Sequence, residues 1–329
     1  MADAQPLPLP QDLSPIKRVG LIAGWGRYPV VLAKAIKATG REVVCLGALD
    51  HADPELEDIC DVFQWKALGK FGWATRFFNR HNVSYATMAG KIHKVRLYDP
   101  GFLWRQAPDW YTIRCFANHF LFRKADCKDD TLLLTAIRAF EARGVTLLPG
   151  TVFAPELLMR RQLLTKRVPT AAQWKDVFFG WKLAREMGRL DVGQSVDVKN
   201  QAVLAVEAIE GTDAAIRRAG TLCKSGAFVV VKVAKPGQDM RFDVPTIGLG
   251  TVQTMAEAGA SVLAVEAKKT LFIDPEETIR FADKHKISIV ALLEEDVDAP
   301  SPEKLFATSV LERAPIPAAV LTDAAESRS

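Results

Sequence analysis

The residues best suited to chemistry lie in one polar segment, residues 232–248. This segment follows residues 227–231, an apolar run rich in β-branched residues that predicts a buried strand. Pro236-Gly237 is a turn dipeptide, so we expect the polar residues on a loop that leaves the carboxyl end of that strand. Ligands of open α/β sheets bind beyond such strand ends. The polar side chains are Lys232, Lys235, Gln238, Asp239, Arg241 and Asp243.

Two of these residues, Asp239 and Asp243, are carboxylates four positions apart, with Arg241 between them. Carboxylate oxygens suit hard divalent cations, and lysine and arginine suit phosphate. We therefore expect this segment to hold a metal ion and a phosphate together, with Lys232 and Gln238 as further contacts. The alternative is a solvated charged loop, but such a loop requires neither a buried strand nor two prolines to hold it.

A second acidic group follows an apolar strand predicted at residues 202–206. Glu207 lies at the end of that strand, where a charge needs a partner. The group could supply metal ligands or a base. Its members are Glu207, Glu210 and Asp213.

A helix is expected after this group, ending near residue 222, with Thr212 as its N-cap. Arg217 and Arg218 lie on its exposed face and could contact phosphate. Capping and an ion pair between Asp213 and Arg217 would explain part of the acidic group without any ligand.

A glycine-rich turn, Gly24 to Gly26, connects a strand predicted at residues 18–24 with the helix that follows. A strand at 42–46 completes a βαβ unit. Such glycines let the backbone approach a ligand, and a helix N-terminus offers free N–H groups to an anion. Pro29 replaces the third glycine of a dinucleotide-binding fingerprint, which weakens the case for a nicotinamide cofactor. A tight turn without a ligand and a phosphate or nucleoside contact both remain open.

The size and composition of the chain are those of a two-domain globular protein. It has 329 residues, of which 49% are hydrophobic and 25% are charged. A formal net charge of +4 is small for a dedicated nucleic-acid binder, so no nucleic-acid partner is expected. The five cysteines include no CxxC pair, which favours a reducing cytoplasm over a zinc site or disulfide framework. The sequence has neither a signal-peptide pattern nor an apolar run long enough to span a bilayer.

The order of predicted strands and helices indicates an α/β fold in two domains. We predict one α/β domain in each half of the chain. Polar, proline-rich segments bound both domains. The predicted divisions are a flexible tail 1–16, an N-terminal domain 17–150, a linker 151–169, a C-terminal domain 170–295 and a largely disordered tail 296–329.

Residues 102–128 interleave aromatic with basic residues. They include a helix predicted at 109–124, whose apolar face contains Trp110 and Ile113. Such a face usually packs in a core, and we expect this for most of it. An acyl-chain groove or a contact with a membrane surface is the alternative.

Five segments that contain these residues resemble the LpxI family, the UDP-2,3-diacylglucosamine pyrophosphatases of lipid A biosynthesis in Gram-negative bacteria. The resemblance runs from about Lys17 to Leu293. The segments are GLIAGWGRYP from Gly20, AGK from Ala89, LDVGQ from Leu190, AVEAIEGTDAAIRRAG from Ala205 and KVAKPGQDMRFDVPTIG from Lys232.

The resemblance implies that residues 17–150 form a Rossmann-like domain and that residues 170–295 form the catalytic α/β domain, with a mixed sheet. It also implies Mg²⁺-dependent hydrolysis, with Mn²⁺ as the other candidate ion. The substrate would be UDP-2,3-diacylglucosamine, a lipid-linked nucleotide sugar, and the products UMP and 2,3-diacylglucosamine 1-phosphate. The protein would be cytoplasmic, in peripheral contact with the inner membrane surface. Whether it forms a homodimer is left open.

The matched segments contain three sets of candidate site residues, and the division of roles among the acids stays open. The catalytic set is Asp239, Asp243, Asp213 and Lys232. The metal set is Asp239, Asp243, Glu207 and Glu210. The substrate-binding set is Gly24, Gly26, Gln194, Arg217, Arg218, Gln238, Arg241 and Thr246.

Two functions of other classes are weighed against this one. A nicotinamide-dependent oxidoreductase would use the turn at Gly24 to Gly26, and Pro29 speaks against it. A non-catalytic nucleotide-sugar sensor would use the same pocket without turnover.

Overall fold

The structure is a computed structural model, and it describes most of the chain in five segments. The chain divides into two units, one ending at Ala154 and the other beginning at Pro155. The segments are residues 12–91, 107–121, 129–236, 239–241 and 244–297.

The first unit is built on a five-stranded parallel sheet with strand order β3-β2-β1-β4-β5. This order is that of a doubly wound fold, with the reversal between β1 and β4. The predicted Rossmann-like domain is confirmed. The strands are β1 (Arg18–Ala23), β2 (Glu42–Ala48), β3 (Val62–Lys66), β4 (Tyr85–Ala89) and β5 (Thr146–Leu147).

Helices join these strands, and one of them differs from the prediction. On α4, Trp110 and Ile113 are exposed, whereas Thr112 and Phe116 are buried. The expectation that this apolar face packs in a core was therefore wrong at these two positions, because the helix packs through its neighbouring face. The helices are α1 (Tyr28–Ala38), α2 (Glu55–Ile59), α3 (Phe71–Arg80), α4 (Trp110–Leu121), α5 (Asp129–Glu141) and α6 (Gly150–Phe153).

The second unit contains a six-stranded mixed sheet with strand order β6-β13-β11-β9-β7-β8. β9, β11 and β13 run parallel to one another. β6 pairs antiparallel with β13, and β7 pairs antiparallel with both β9 and β8. This confirms the predicted mixed α/β domain. β10 and β12 form a separate parallel pair. The strands are β6 (Gln162–Leu163), β7 (Ser195–Lys199), β8 (Ala202–Val206), β9 (Phe228–Lys232), β10 (Thr246–Ile247), β11 (Ala260–Glu266), β12 (Leu271–Phe272) and β13 (Ser288–Leu292).

Helices cover both faces of this sheet. α7 packs on one face against Val229 and Val231 of β9. α8, α9 and α10 pack on the other face, against Phe228 and Val230 of the same strand. Alternate residues of each strand therefore enter two different cores. The helices are α7 (Ala171–Arg189), α8 (Thr212–Leu222), α9 (Leu249–Ala258), α10 (Pro275–Lys284) and α11 (Glu294–Val297).

The β7–β8 hairpin turns at Asn200 and Gln201, whose φ angles are 52° and 57°. Two consecutive positive φ angles are typical of a two-residue hairpin turn. The Asp176 carboxylate accepts hydrogen bonds from both turn amides, over 2.9 and 2.6 Å. The hairpin turn is therefore anchored to α7.

The predicted linker, residues 151–169, includes β6, which pairs with β13. Residues 1–11 and 298–329 of the two predicted tails lie outside the described residues. Among the described helices, none is both long enough and apolar enough to cross a membrane.

Candidate active site

Three polar side chains lie side by side on one face of the mixed sheet. Ser195 of β7 is the register partner of Lys232 at the end of β9. On the other side of β7, the Glu207 amide donates to the Ser195 carbonyl oxygen over 2.9 Å. Val196 and Val198 enter the core against α7, so Ser195 points to the opposite face. Lys232, Ser195 and Glu207 therefore form a row across the sheet, on the face that α8 and α9 cover. We call these three residues the polar row.

Lys232 is buried, with 6% of the residue exposed. Its Nζ donates a hydrogen bond to the Thr246 carbonyl oxygen over 3.1 Å. Thr246 begins β10, and its hydroxyl donates to the Val244 carbonyl oxygen over 3.0 Å. The structure thus brings together two predicted site residues, Lys232 and Thr246. It also provides an ammonium group at a strand end, where a phosphate oxygen could accept from it.

Glu207 obtains its partner from the start of α8. The Thr212 hydroxyl donates to Glu207 Oε1 over 2.9 Å. The prediction that Thr212 is the N-cap is wrong, because Gly211 caps the helix with φ +84° and glycine adopts this angle without strain. The threonine side chain is thereby available to the carboxylate. Glu207 is buried, and no described residue donates a hydrogen bond to its Oε2.

Gly193 fixes the backbone at Glu207. A Cβ added to Gly193 would lie 1.9 Å from the Glu207 carbonyl oxygen, so a larger residue requires the chain to move. The next residue, Gln194, accepts the Val233 amide at its carbonyl oxygen over 3.0 Å. Gln194 Oε1 is buried without a hydrogen-bond partner among the described residues. These two residues therefore hold the start of β7 against both neighbouring strands.

Asp197 is a buried carboxyl residue of β7 that the sequence analysis did not single out. It is 1% exposed and lies between Val230 of β9 and Ala205 of β8, two members of the core under α8 and α9. Within the described part of the chain, neither carboxylate oxygen has a hydrogen-bond partner. Burial raises the pKa of Asp197 to about 8, with a further increase from Glu207 and an opposing effect from Arg218.

The predicted residues Glu210 and Arg218 bind each other. Arg218 Nη1 lies 2.9 Å from Glu210 Oε1, and Arg218 Nη2 donates to the Val206 carbonyl oxygen over 2.7 Å. Glu210 Oε2 accepts the Ala208 amide over 3.2 Å. Both oxygens of Glu210 are therefore engaged in holding the loop between β8 and α8.

The other two predicted residues of α8 lie on its exposed side. Arg217 Nη2 donates to the Thr254 hydroxyl of α9 over 3.2 Å. Asp213 is exposed in the first turn, where a carboxylate also stabilises the helix dipole. Arg217 therefore links α8 to α9, in addition to any role toward a ligand.

Comparisons with known proteins give both units the same family. Residues 18–157 match the family described as LpxI N-terminal domain, and residues 160–290 match the LpxI C-terminal domain. A protein of Caulobacter vibrioides named UDP-2,3-diacylglucosamine pyrophosphatase LpxI is 32% identical over 277 residues, which covers 82% of this chain and 95% of the relative. The chain belongs to the LpxI family.

The segment from Lys232, which carries much of the LpxI resemblance, includes an ion pair between Asp239 and Arg241. The Asp239 carboxylate accepts the Arg241 amide over 3.0 Å, and Arg241 Nη2 lies 2.6 Å from Asp239 Oδ2. Arg241 Nε contacts both oxygens over 3.0 Å. This orients the carboxylate and keeps it beside a positive charge. The predicted residues Gln238 and Asp243 lie outside the described residues.

In the glycine-rich turn of the LpxI N-terminal domain, the first backbone amides form hydrogen bonds with other backbone groups of the protein. The Gly24 amide donates to the Ala89 carbonyl oxygen, and the Trp25 and Lys91 backbones exchange two hydrogen bonds, all over 2.8 Å. Gly26 follows with φ +108°, an angle that favours glycine. The turn thus extends the pairing of β1 with β4, and this occupies the amide groups that a dinucleotide-binding loop would offer to a ligand.

The metal ligands predicted for this LpxI member are only partly described, because Asp243 lies outside the residues that the structure describes. Within the described ranges, no group of three or more His, Cys, Asp or Glu residues lies close enough to hold a metal ion. The oxygens without hydrogen-bond partners on Asp197 and Glu207 are nevertheless of the type that Mg²⁺ and Mn²⁺ prefer. The chemistry of these donors fits the ion that the family implies.

A second network that sequence reasoning missed lies at the carboxyl ends of the parallel strands. Glu266, 2% exposed at the end of β11, accepts the Ala234 amide over 2.9 Å and Lys269 Nζ over 2.7 Å. Arg185 of α7 approaches Glu266 to 3.5 Å and binds Glu294 over 2.8 Å. This network fixes the chain where it leaves β9 toward Asp239.

Proposed function

We propose that this protein hydrolyses the pyrophosphate bond of UDP-2,3-diacylglucosamine, releasing UMP and 2,3-diacylglucosamine 1-phosphate. The observation that carries the proposal is the match of both LpxI domains, in order, along a chain that covers 95% of a relative named for this activity. The polar row on the second unit supplies the residue types that the reaction needs.

Phosphoryl chemistry depends on neutralising charge on non-bridging oxygens and on positioning the attacking water. Lys232 is suited to the first task, because its ammonium is buried at a strand end and held by the Thr246 carbonyl. Its burial strengthens the attraction to a phosphate oxygen, since the surrounding dielectric constant is low.

Asp239 is suited to the second task. Arg241 holds its carboxylate from three nitrogen atoms, so the group is oriented before substrate arrives. A carboxylate in this position can orient the water and accept its proton as it attacks phosphorus. Asp243 and Asp213 are the other candidates for this role.

We further propose that activity requires Mg²⁺, for which Mn²⁺ substitutes. When bound, the ion would neutralise phosphate oxygens and polarise the scissile bond. The support is a site rich in carboxylate oxygens. EDTA should abolish turnover and Mg²⁺ should restore it; full activity of a metal-free preparation would contradict the requirement.

The two alternative functions predict different results. An oxidoreductase would bind its dinucleotide at the turn after β1, where the Gly24 and Trp25 amides are already engaged. Adding the protein to NADH should therefore leave its absorbance unchanged. A nucleotide-sugar sensor would bind substrate without releasing UMP over many turnovers.

We propose that the protein is cytoplasmic and meets its lipid substrate at the inner membrane surface. The exposed Trp110 and Ile113 of α4 support this, because such side chains enter the interface between lipid and water. Sedimentation with anionic vesicles should carry the protein down at low salt, and Trp110→Ser with Ile113→Ser should reduce this. Recovery from cells only after detergent treatment would contradict peripheral contact.

The deciding assay measures UMP release from UDP-2,3-diacylglucosamine by the purified full-length protein with Mg²⁺. Repeated turnover is expected, and absence of UMP under these conditions would overturn the proposal. In oxygen-18 water, the label will enter either UMP or the sugar phosphate, which identifies the phosphorus atom attacked.

A further inference from the structure

Three buried carboxylate oxygens near the polar row have no role in the mechanism above. They are both oxygens of Asp197 and Oε2 of Glu207, and no described residue donates a hydrogen bond to any of them. The hydroxyl of Ser195, which lies on the same face, also lacks a partner there. Buried polar atoms are normally hydrogen-bonded, so a cluster of such atoms points to a bound ion or ordered water.

The strand register brings these oxygens together. Ser195 lies directly opposite Glu207, and Asp197 lies opposite Ala205, two residues before Glu207. Asp197 and Glu207 are therefore diagonal neighbours on one face, a separation that longer side chains can span. Both are at least nine-tenths buried, at 1% and 8% exposure.

Among the described residues, no lysine or arginine donates a hydrogen bond to any of these three oxygens. Arg218 favours the charged form of Asp197, but its guanidinium binds Glu210 and the Val206 carbonyl oxygen. Burying two carboxylates side by side is costly unless a positive charge lies between them.

We propose that Asp197 and Glu207 together hold the divalent cation, with the Ser195 hydroxyl beside them, and that Glu210 is not a ligand. This inference rests on the metal requirement proposed above. Hard divalent cations select carboxylate and hydroxyl oxygens, and three carboxylate oxygens in this cluster are without hydrogen bonds. Glu210 is excluded because Arg218 and the Ala208 amide engage both of its oxygens.

The test measures Mn²⁺ binding to the full-length protein after EDTA has removed bound metal. Electron paramagnetic resonance monitors the concentration of free Mn²⁺ during the titration. Asp197→Asn and Glu207→Gln keep the shape of each side chain and remove its charge. Each should weaken Mn²⁺ binding by about tenfold or more, the effect expected when a ligand set is damaged. Glu210→Gln, on the same loop, is the matched control and should bind Mn²⁺ as the wild type does.

A second measurement distinguishes the loss of a metal ligand from the unfolding of a variant. Mn²⁺ should raise the melting temperature of the wild type and of Glu210→Gln, but not that of Asp197→Asn. Unchanged Mn²⁺ affinity in Asp197→Asn would overturn the inference and leave the proposed hydrolysis intact. A wild type that releases UMP but binds no Mn²⁺ would overturn both this inference and the metal requirement. Absence of UMP release with normal Mn²⁺ binding would overturn the proposed hydrolysis alone.

Discussion

Asp197→Asn should change how the stability of the metal-free protein depends on pH. Asp197 is buried and accepts no hydrogen bond from the described residues, and its pKa is raised from 3.8 to about 8. The folded protein therefore holds a proton at Asp197 over a pH range in which the unfolded chain has released it. Because the folded state binds more protons, its stability must fall as pH rises through this range.

The size of the effect follows from the linkage between proton binding and folding. Asp197 contributes its full stability below about pH 4 and loses it as pH rises toward 8. Within that window, the contribution falls by about 1.4 kcal/mol per pH unit, or about 3 kcal/mol between pH 5 and pH 7. Asparagine does not titrate, so Asp197→Asn removes this slope and leaves a constant offset.

The assay is urea unfolding in EDTA at pH 5, 6, 7 and 8, for the wild type and Asp197→Asn. The difference in unfolding free energy between the two should move by about 3 kcal/mol from pH 5 to pH 7, in favour of the variant at higher pH. Ser195→Ala alters the same buried face without removing a titratable group, so it should keep the wild-type slope. Parallel curves for the wild type and Asp197→Asn would refute the reasoning.

Three further predictions concern neighbouring residues. Asp239→Ala should lower kcat on the order of a hundredfold with little change in melting temperature, whereas Glu277→Ala, an exposed acid of α10, should change neither. Gly193→Ala should lower unfolding free energy by about 1–3 kcal/mol, because its Cβ meets the Glu207 carbonyl, whereas Gly250→Ala, with open space around the added atom, should be tolerated. Thr212→Val should cost about 1 kcal/mol and lower kcat by releasing Glu207, and Thr212→Ser should restore both.

Much of the fold could be predicted because strands and turns leave local signals. The strand at the start of the chain, its glycine-rich turn and the β7–β8 hairpin all follow from short sequence patterns. β6, β10 and β12 were missed because two-residue strands carry no periodicity. For the apolar face of α4, core packing was favoured over exposure because apolar residues at helical spacing usually pack in a core.

The candidate site was predictable where a charge interrupts an apolar run. Glu207 and Lys232 each end a strand, and both stand in the polar row. Asp197 gave no such signal, because a polar residue between Val196 and Val198 reads as the solvent face of a half-buried strand. That interpretation fails here because helices cover both faces of the sheet. Covering of the second face depends on how α8 and α9 pack onto the sheet, and local sequence patterns cannot show that packing.

The position of the polar row has an energetic consequence. On a sheet covered on both faces, Lys232, Asp197 and Glu207 occupy places where apolar residues would stabilise the fold more. Burying these polar side chains lowers the free energy of unfolding. The surrounding cores of valine, isoleucine and alanine offset this loss. Sites that break the local rules of folding are commonly those that bind or react. A gain in stability on neutralising Asp197, together with a loss of metal binding, would be the expected sign that this residue is retained for chemistry and not for the fold.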